Sequence, residues 1–113
     1  MITYWHNPRC SKSRAGLTLL QERGVAHDVR FYLTDAPTVD EIRAVQQALG
    51  VSAIKMMRTG EAVFKELDLS SDSTHEDLLQ AMAAHPILIE RPIAISGDSA
   101  VIGRPTENIE TLL

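Results

Sequence analysis

The chain begins Met1-Ile2-Thr3-Tyr4-Trp5-His6-Asn7-Pro8-Arg9-Cys10-Ser11-Lys12-Ser13-Arg14. Its first five residues are β-branched or aromatic for the most part, the composition of a strand. Asn7-Pro8 marks a turn. From Ser11 to Arg23, Leu17, Leu19 and Leu20 recur at helical spacing, and Gly24 stops the helix. A strand therefore meets a helix at Cys10, the one cysteine of the chain. His6, Arg9, Lys12 and Arg14 surround it. A thiol at a helix N-terminus among cations is stabilised as the thiolate. A lone cysteine is more often a small buried hydrophobe. The polar turn and cap residues around this one point instead to a nucleophile.

Working outward, His27–Tyr32 alternates like a half-buried strand, which completes a β-α-β unit with parallel strands. Thr38-Val39-Asp40-Glu41 is a capping box that opens a helix to about Leu49, closed by Gly50. Ser52–Arg58 and Glu61–Leu67 read as short helical segments. Thr74 caps a further helix to about Ala84, which Pro86 ends. No strand is expected between Thr38 and His85. Pro92–Ser96 and Ala100–Ile102 flank the hairpin turn Gly97-Asp98, and Thr106–Leu113 reads as a closing helix. The order β-α-β, helices, β-β-α is that of an α/β, thioredoxin-like fold. It implies a four-stranded mixed sheet with a central helical insertion at about 38–85, in one domain spanning residues 1–113.

The charge pattern narrows the function. Net charge is −4, without the basic face that general nucleic-acid binding needs. No apolar run reaches the roughly 18–20 residues of a membrane span. The N-terminus lacks the regions of a signal peptide, and one cysteine cannot form an internal disulfide. A reducing, cytoplasmic setting and a monomer are expected. His27, His75 and His85 have no ligand spacing to one another or to Cys10, so no metal is expected. No nucleotide-binding glycine motif occurs, and no bound cofactor is expected.

The cations are eight arginines and three lysines. Arginine is the planar donor that grips oxyanions. Arg58, Arg91 and Arg104 lie on three separate segments, and the last two each precede a proline, which keeps them out of helix. Arg91-Pro92 opens the third strand, where a thioredoxin-like fold places a cis-proline beside the active cysteine. Three such arginines and a helix-end thiol together describe an oxyanion pocket. Cys10 has no CxxC partner, since Ser13 stands at the fourth position, and Arg14 comes too early for a Cx5R phosphate loop. Any disulfide formed by Cys10 must be resolved from outside.

Three stretches taken together resemble the glutaredoxin-dependent arsenate reductase family: His6 to Arg14, His85-Pro86-Ile87-Leu88-Ile89-Glu90-Arg91-Pro92-Ile93, and Gly103-Arg104-Pro105. The likeness runs over nearly the whole chain and is nearest to the arsenate-reductase-like branch with Cys-Ser-Lys-Ser. The resemblance implies that Cys10 attacks arsenate and forms a thiol-arsenate adduct. It implies that His6 helps to lower the thiol pKa and that Arg58, Arg91 and Arg104 bind the oxyanion. It places Ser13 near the sulfur, with Pro92 as the supporting cis-proline. Glutathione is then the co-substrate and glutaredoxin the protein partner. Ser11-Lys12 replaces the Gly-Thr common after the cysteine, and Gly103 stands where some members have a second cysteine. Activity below that of dedicated reductases is expected from the first change. Two other readings remain open. The related Spx-like regulators bind RNA polymerase but carry a CxxC switch. A monothiol redox protein acting on glutathionylated substrates would fit CxxS but leave the arginines unexplained.

Overall fold

The computed structural model describes all 113 residues. Four strands, β1 (Ile2–Trp5), β2 (His27–Arg30), β3 (Ile93–Ser96) and β4 (Ser99–Ile102), form one sheet in the order β2-β1-β3-β4. β1 and β2 are parallel, while β3 runs antiparallel to both β1 and β4. The helices are α1 (Ser11–Glu22), α2 (Val39–Leu49), α3 (Ala62–Glu66) and α4 (His75–Ala84). This is the thioredoxin-like arrangement expected from the element order, with a helical insertion between β2 and β3.

The alternation of β1 divides the interior in two. Ile2 and Tyr4 join Leu20, Ala94 and Ile109 in a small core on one side of the sheet. Trp5 and Ile93 join the larger core on the other side, built with residues of the insertion such as Ile42, Met56, Leu79, Met82 and Leu88. The buried face of α1 is not its leucines alone. Ser13, Gly16 and Leu20 are the fully buried positions, at helical spacing. The reason is Tyr4, whose hydroxyl donates to the Ser13 carbonyl at 2.6 Å. A methyl on Gly16 would overlap that hydroxyl and press on Ile109.

Several boundaries differ from the sequence reading for local reasons. β2 ends at Arg30 because the next residues turn, with Thr34 and Asp35 N–H both donating to the Phe31 carbonyl. Arg30 also folds back to pair with Glu41 and Asp35. The capping box of α2 is complete, and Gly50 closes the helix at φ 69°. The Ser52–Arg58 segment narrows to a 3-10 turn, Ala53–Met56, and Pro86 opens a second one, Pro86–Leu88, instead of only ending α4. The closing segment Thr106–Leu112 is 3-10 throughout. There the Asn108 amide donates to the Ile102 and Arg104 carbonyls, and Thr111 donates to Asn108 O, so side chains compete with the backbone ladder. No helix is long and apolar enough to cross a membrane.

Strand register decides where the site falls. Trp5 pairs with Ile93, and Ile93 pairs with Ile102. The chain leaving β1, entering β3 and leaving β4 therefore meets at one end of the sheet. That end gathers His6–Cys10, Arg91-Pro92 and Gly103-Arg104. The last two segments are tied together, Gly103 N–H donating to Pro92 O at 2.9 Å and Arg104 Nε to Arg91 O at 2.7 Å. Arg91–Pro92 is cis, as expected, and so is Arg104–Pro105, which was not anticipated.

Candidate active site

Cys10 is the N-cap residue of α1, in extended backbone, and its side chain makes no capping hydrogen bond. Its carbonyl accepts the first helical bond, from Arg14 N–H at 3.0 Å. The sulfur therefore faces the free N–H groups of the first turn. Its pKa lies below the ordinary thiol value. Burial, the largest single influence, pushes it up; the Ser13 and Lys12 backbone N–H groups and the Arg91 guanidinium together outweigh it. Arg104 Nη2 lies 3.5 Å from the sulfur and donates to it. Two guanidiniums thus bear on one thiol, from the two Arg-Pro segments that the sheet register brings together.

The loop before Cys10 is held by a buried network. Asn7 N–H donates to Ser13 Oγ at 2.9 Å, and His6 Nδ1 lies 2.7 Å from the same oxygen. Cys10 N–H donates to Asn7 O, and Arg9 N–H donates to Asn7 Oδ1, both at 3.0 Å. The Ser13 hydroxyl proton has one acceptor here, His6 Nδ1. That assigns the ring proton to Nε2 and makes the imidazole neutral. Burial first, and the Arg14 charge second, hold the His6 pKa below its ordinary value. The ring therefore bonds to Ser13, and Ser13 meets the sulfur through its backbone N–H rather than its hydroxyl.

Arg58 arrives by another route. Met57 forms an isolated antiparallel bridge with Ile89, and Arg58 N–H donates to Leu88 O at 2.7 Å. This sets Arg58 beside Glu90 and Arg91. Its guanidinium is already engaged, Nε with Glu61 Oε1 at 2.9 Å and Nη1 with Glu90 Oε1 at 3.4 Å. Arg91 is the opposite case. Its Nε and Nη1 are buried with no partner, and the one other buried side-chain polar atom in that condition is the Tyr32 hydroxyl. Burial pushes the Tyr32 phenol up to about 12, and the charged groups acting on it are Arg91, Cys10, Arg58 and Glu90. The unpaired donors of the molecule are therefore grouped around the thiol.

The chain matches the ArsC family over residues 5–112. It belongs to the ArsC family. An arsenate reductase of Neisseria meningitidis is 46% identical over 99% of this chain and 97% of its own length. One from Haemophilus influenzae is 40% identical over 99% and 98%. The solved structure of an arsenate reductase from Vibrio cholerae superposes with a TM-score of 0.95 at 43% identity, covering 99% of this chain and 97% of that one.

In this ArsC-family chain the structure brings Cys10, Arg91, Arg104 and Pro92 together at one end of the sheet, with His6 and Ser13 behind the loop. Arg58 reaches the same corner but spends its donors on carboxylates. Two participants escaped the sequence reading. Tyr32 stood as the last residue of a strand, and Glu90 as a residue between motifs. Tyr32 carries no spacing signal, since its hydroxyl gains meaning only from its charged surroundings. Glu90 had one, as an acid directly before Arg-Pro. No group of three or more His, Cys, Asp or Glu side chains is arranged to hold a metal.

Proposed function

We propose that this ArsC-family protein is an arsenate reductase in which Cys10 is the nucleophile and glutathione the external thiol. The observation that carries this reading is the Arg91 guanidinium, with two buried, unpartnered N–H donors beside a thiol of lowered pKa. A buried orphan donor costs roughly 1–3 kcal/mol, and an oxyanion against Cys10 would recover that cost. Arg104, already 3.5 Å from the sulfur, supplies the second charged donor. The names of the relatives give the anion its identity.

The chemistry then follows from there being one cysteine. The thiolate attacks arsenic, forms a sulfur–arsenic bond and expels one oxygen as water. Reduction from As(V) to As(III) takes two electrons. A glutathione thiol supplies the second sulfur, so that arsenite leaves as Cys10 and glutathione join in a disulfide. Glutaredoxin returns Cys10 to the thiol by exchange. Arg91 and Arg104 balance the charge of the oxyanion throughout. A reducing, cytoplasmic compartment suits this cycle.

The test is a coupled assay with arsenate, glutathione, glutaredoxin and NADPH-linked recycling, beside a Cys10→Ser control. NADPH oxidation should require arsenate and vanish in the control, and mass spectrometry should trap glutathione on Cys10. Turnover of glutathionylated peptides with none of arsenate would replace this reading by the monothiol one.

A further inference from the structure

Glu90 is the carboxylate among the three arginines. Its Oε1 accepts from Arg58 Nη1 and from Arg91 N–H, each at 3.4 Å, and lies 3.8 Å from Arg104 Nε. These contacts all fall on Oε1, which leaves Oε2 free to accept. Arg104 stands between Glu90 and Cys10, its Nε toward the carboxylate and its Nη2 on the sulfur. Glu90 also lines both neighbouring clefts, one of about 400 Å³ with Arg104 and one of about 360 Å³ with Arg58 and Glu61. An anion held by Arg104 therefore lies next to a negative acceptor that arginine contacts keep in place.

We propose that Glu90 sets the specificity of this pocket: its carboxylate accepts a hydrogen bond from an oxyanion that carries a hydroxyl and turns away one that carries none. The inference rests on the arginine-pocket reading above. Near neutral pH arsenate and phosphate retain an O–H, whereas sulfate offers acceptors only. Sulfate beside Glu90 sets acceptor against acceptor and charge against charge. Sites that require a donor from the ligand discriminate strongly against analogues lacking it. Glu90 is one-quarter exposed, so the effect is smaller here than in a closed site.

The experiment is calorimetric titration of the full chain with arsenate, phosphate and sulfate at fixed ionic strength. Wild type should favour arsenate and phosphate over sulfate by roughly tenfold or more. In Glu90→Gln sulfate binding should tighten and the ratio should shrink to about threefold or less. Glu61→Gln removes the same charge from Arg58 at the pocket's edge and should leave the ratio as it is. Glu90→Asp keeps the charge but withdraws the acceptor, and the ratio should fall there too, which guards against a Gln variant that fails to fold. Wild type that binds arsenate and sulfate alike, or variants with an unchanged ratio, would overturn the Glu90 proposal and leave the pocket standing. Wild type that binds none of the three anions would overturn both.

Discussion

Around Cys10, neighbours in sequence hold one another by buried hydrogen bonds of 2.6–3.0 Å from Tyr4, His6, Asn7 and Ser13. Around Arg58, Arg91 and Arg104 the ties come from three distant segments and are mostly ionic, at 2.9–3.8 Å. The two regions divide the work. The first fixes the nucleophile, and every polar group in it has a partner. The second keeps donors unpaired or exchangeable, so that a ligand gains by entering. Within that second region, Arg91 and Arg58 are themselves opposites, one with buried free donors and the other with its donors already spent.

The largest expected effect tests that opposition. Arg91→Ala should weaken arsenate binding by roughly ten- to a hundredfold, since a charge-assisted hydrogen bond contributes about 1.5–3 kcal/mol and about 1.4 kcal/mol is tenfold. Its melting temperature should hardly fall, because the donors removed are ones the free protein leaves unpaired. Titration calorimetry and a thermal melt on the same sample check both statements.

Ser13→Ala should do the reverse. It strips the Asn7 N–H and the His6 ring of their shared partner at a fully buried position. An unsatisfied buried group costs about 1–3 kcal/mol, read as a lower urea midpoint. Intact stability in this variant would break the contrast between the two regions.

Arg58→Ala should cost less than Arg91→Ala in anion affinity, about fivefold at most, because half-exposed ion pairs contribute about 0–1 kcal/mol and the displaced Glu90 must find new partners. Equal losses in the two variants would mean that Arg58 leaves its carboxylates to meet the anion.

The smallest effect concerns pH. The folded pKa of His6 is lowered, by burial first, so the folded protein binds the imidazole proton less readily than the unfolded chain. Stability is fully present above the unfolded value and is lost as pH falls through the folded one. Unfolding in urea at about pH 7.5 and at about pH 5.5, on either side of the ordinary imidazole value, should show wild type losing more than His6→Asn. Parallel losses would mean that the ring is freely solvated.

How much of this was legible depended on how local the cause was. The strand-to-helix junction at Cys10, the capping box at Thr38–Glu41 and the hairpin at Gly97-Asp98 each have their signal within a few residues, and each formed as read. The 3-10 character of Thr106–Leu112 was not legible, because Asn108 reaches back to Ile102 across the fold. Gly16 looked like an ordinary helical residue, and only the approach of Tyr4 shows why a side chain is excluded there. The arginines could be counted in sequence. Which of them is free could not, because Glu61 and Glu90 meet Arg58 only after the Met57–Ile89 bridge has formed.

The central claim is that a thiolate and unpaired guanidiniums share one anion site. The rate of Cys10 alkylation against pH, measured with and without arsenate, tests it most directly. The account expects a midpoint below the roughly 8.5 of a free thiol and marked slowing by arsenate that Arg91→Ala abolishes. A midpoint at or above the free value, with no protection by arsenate, would contradict it.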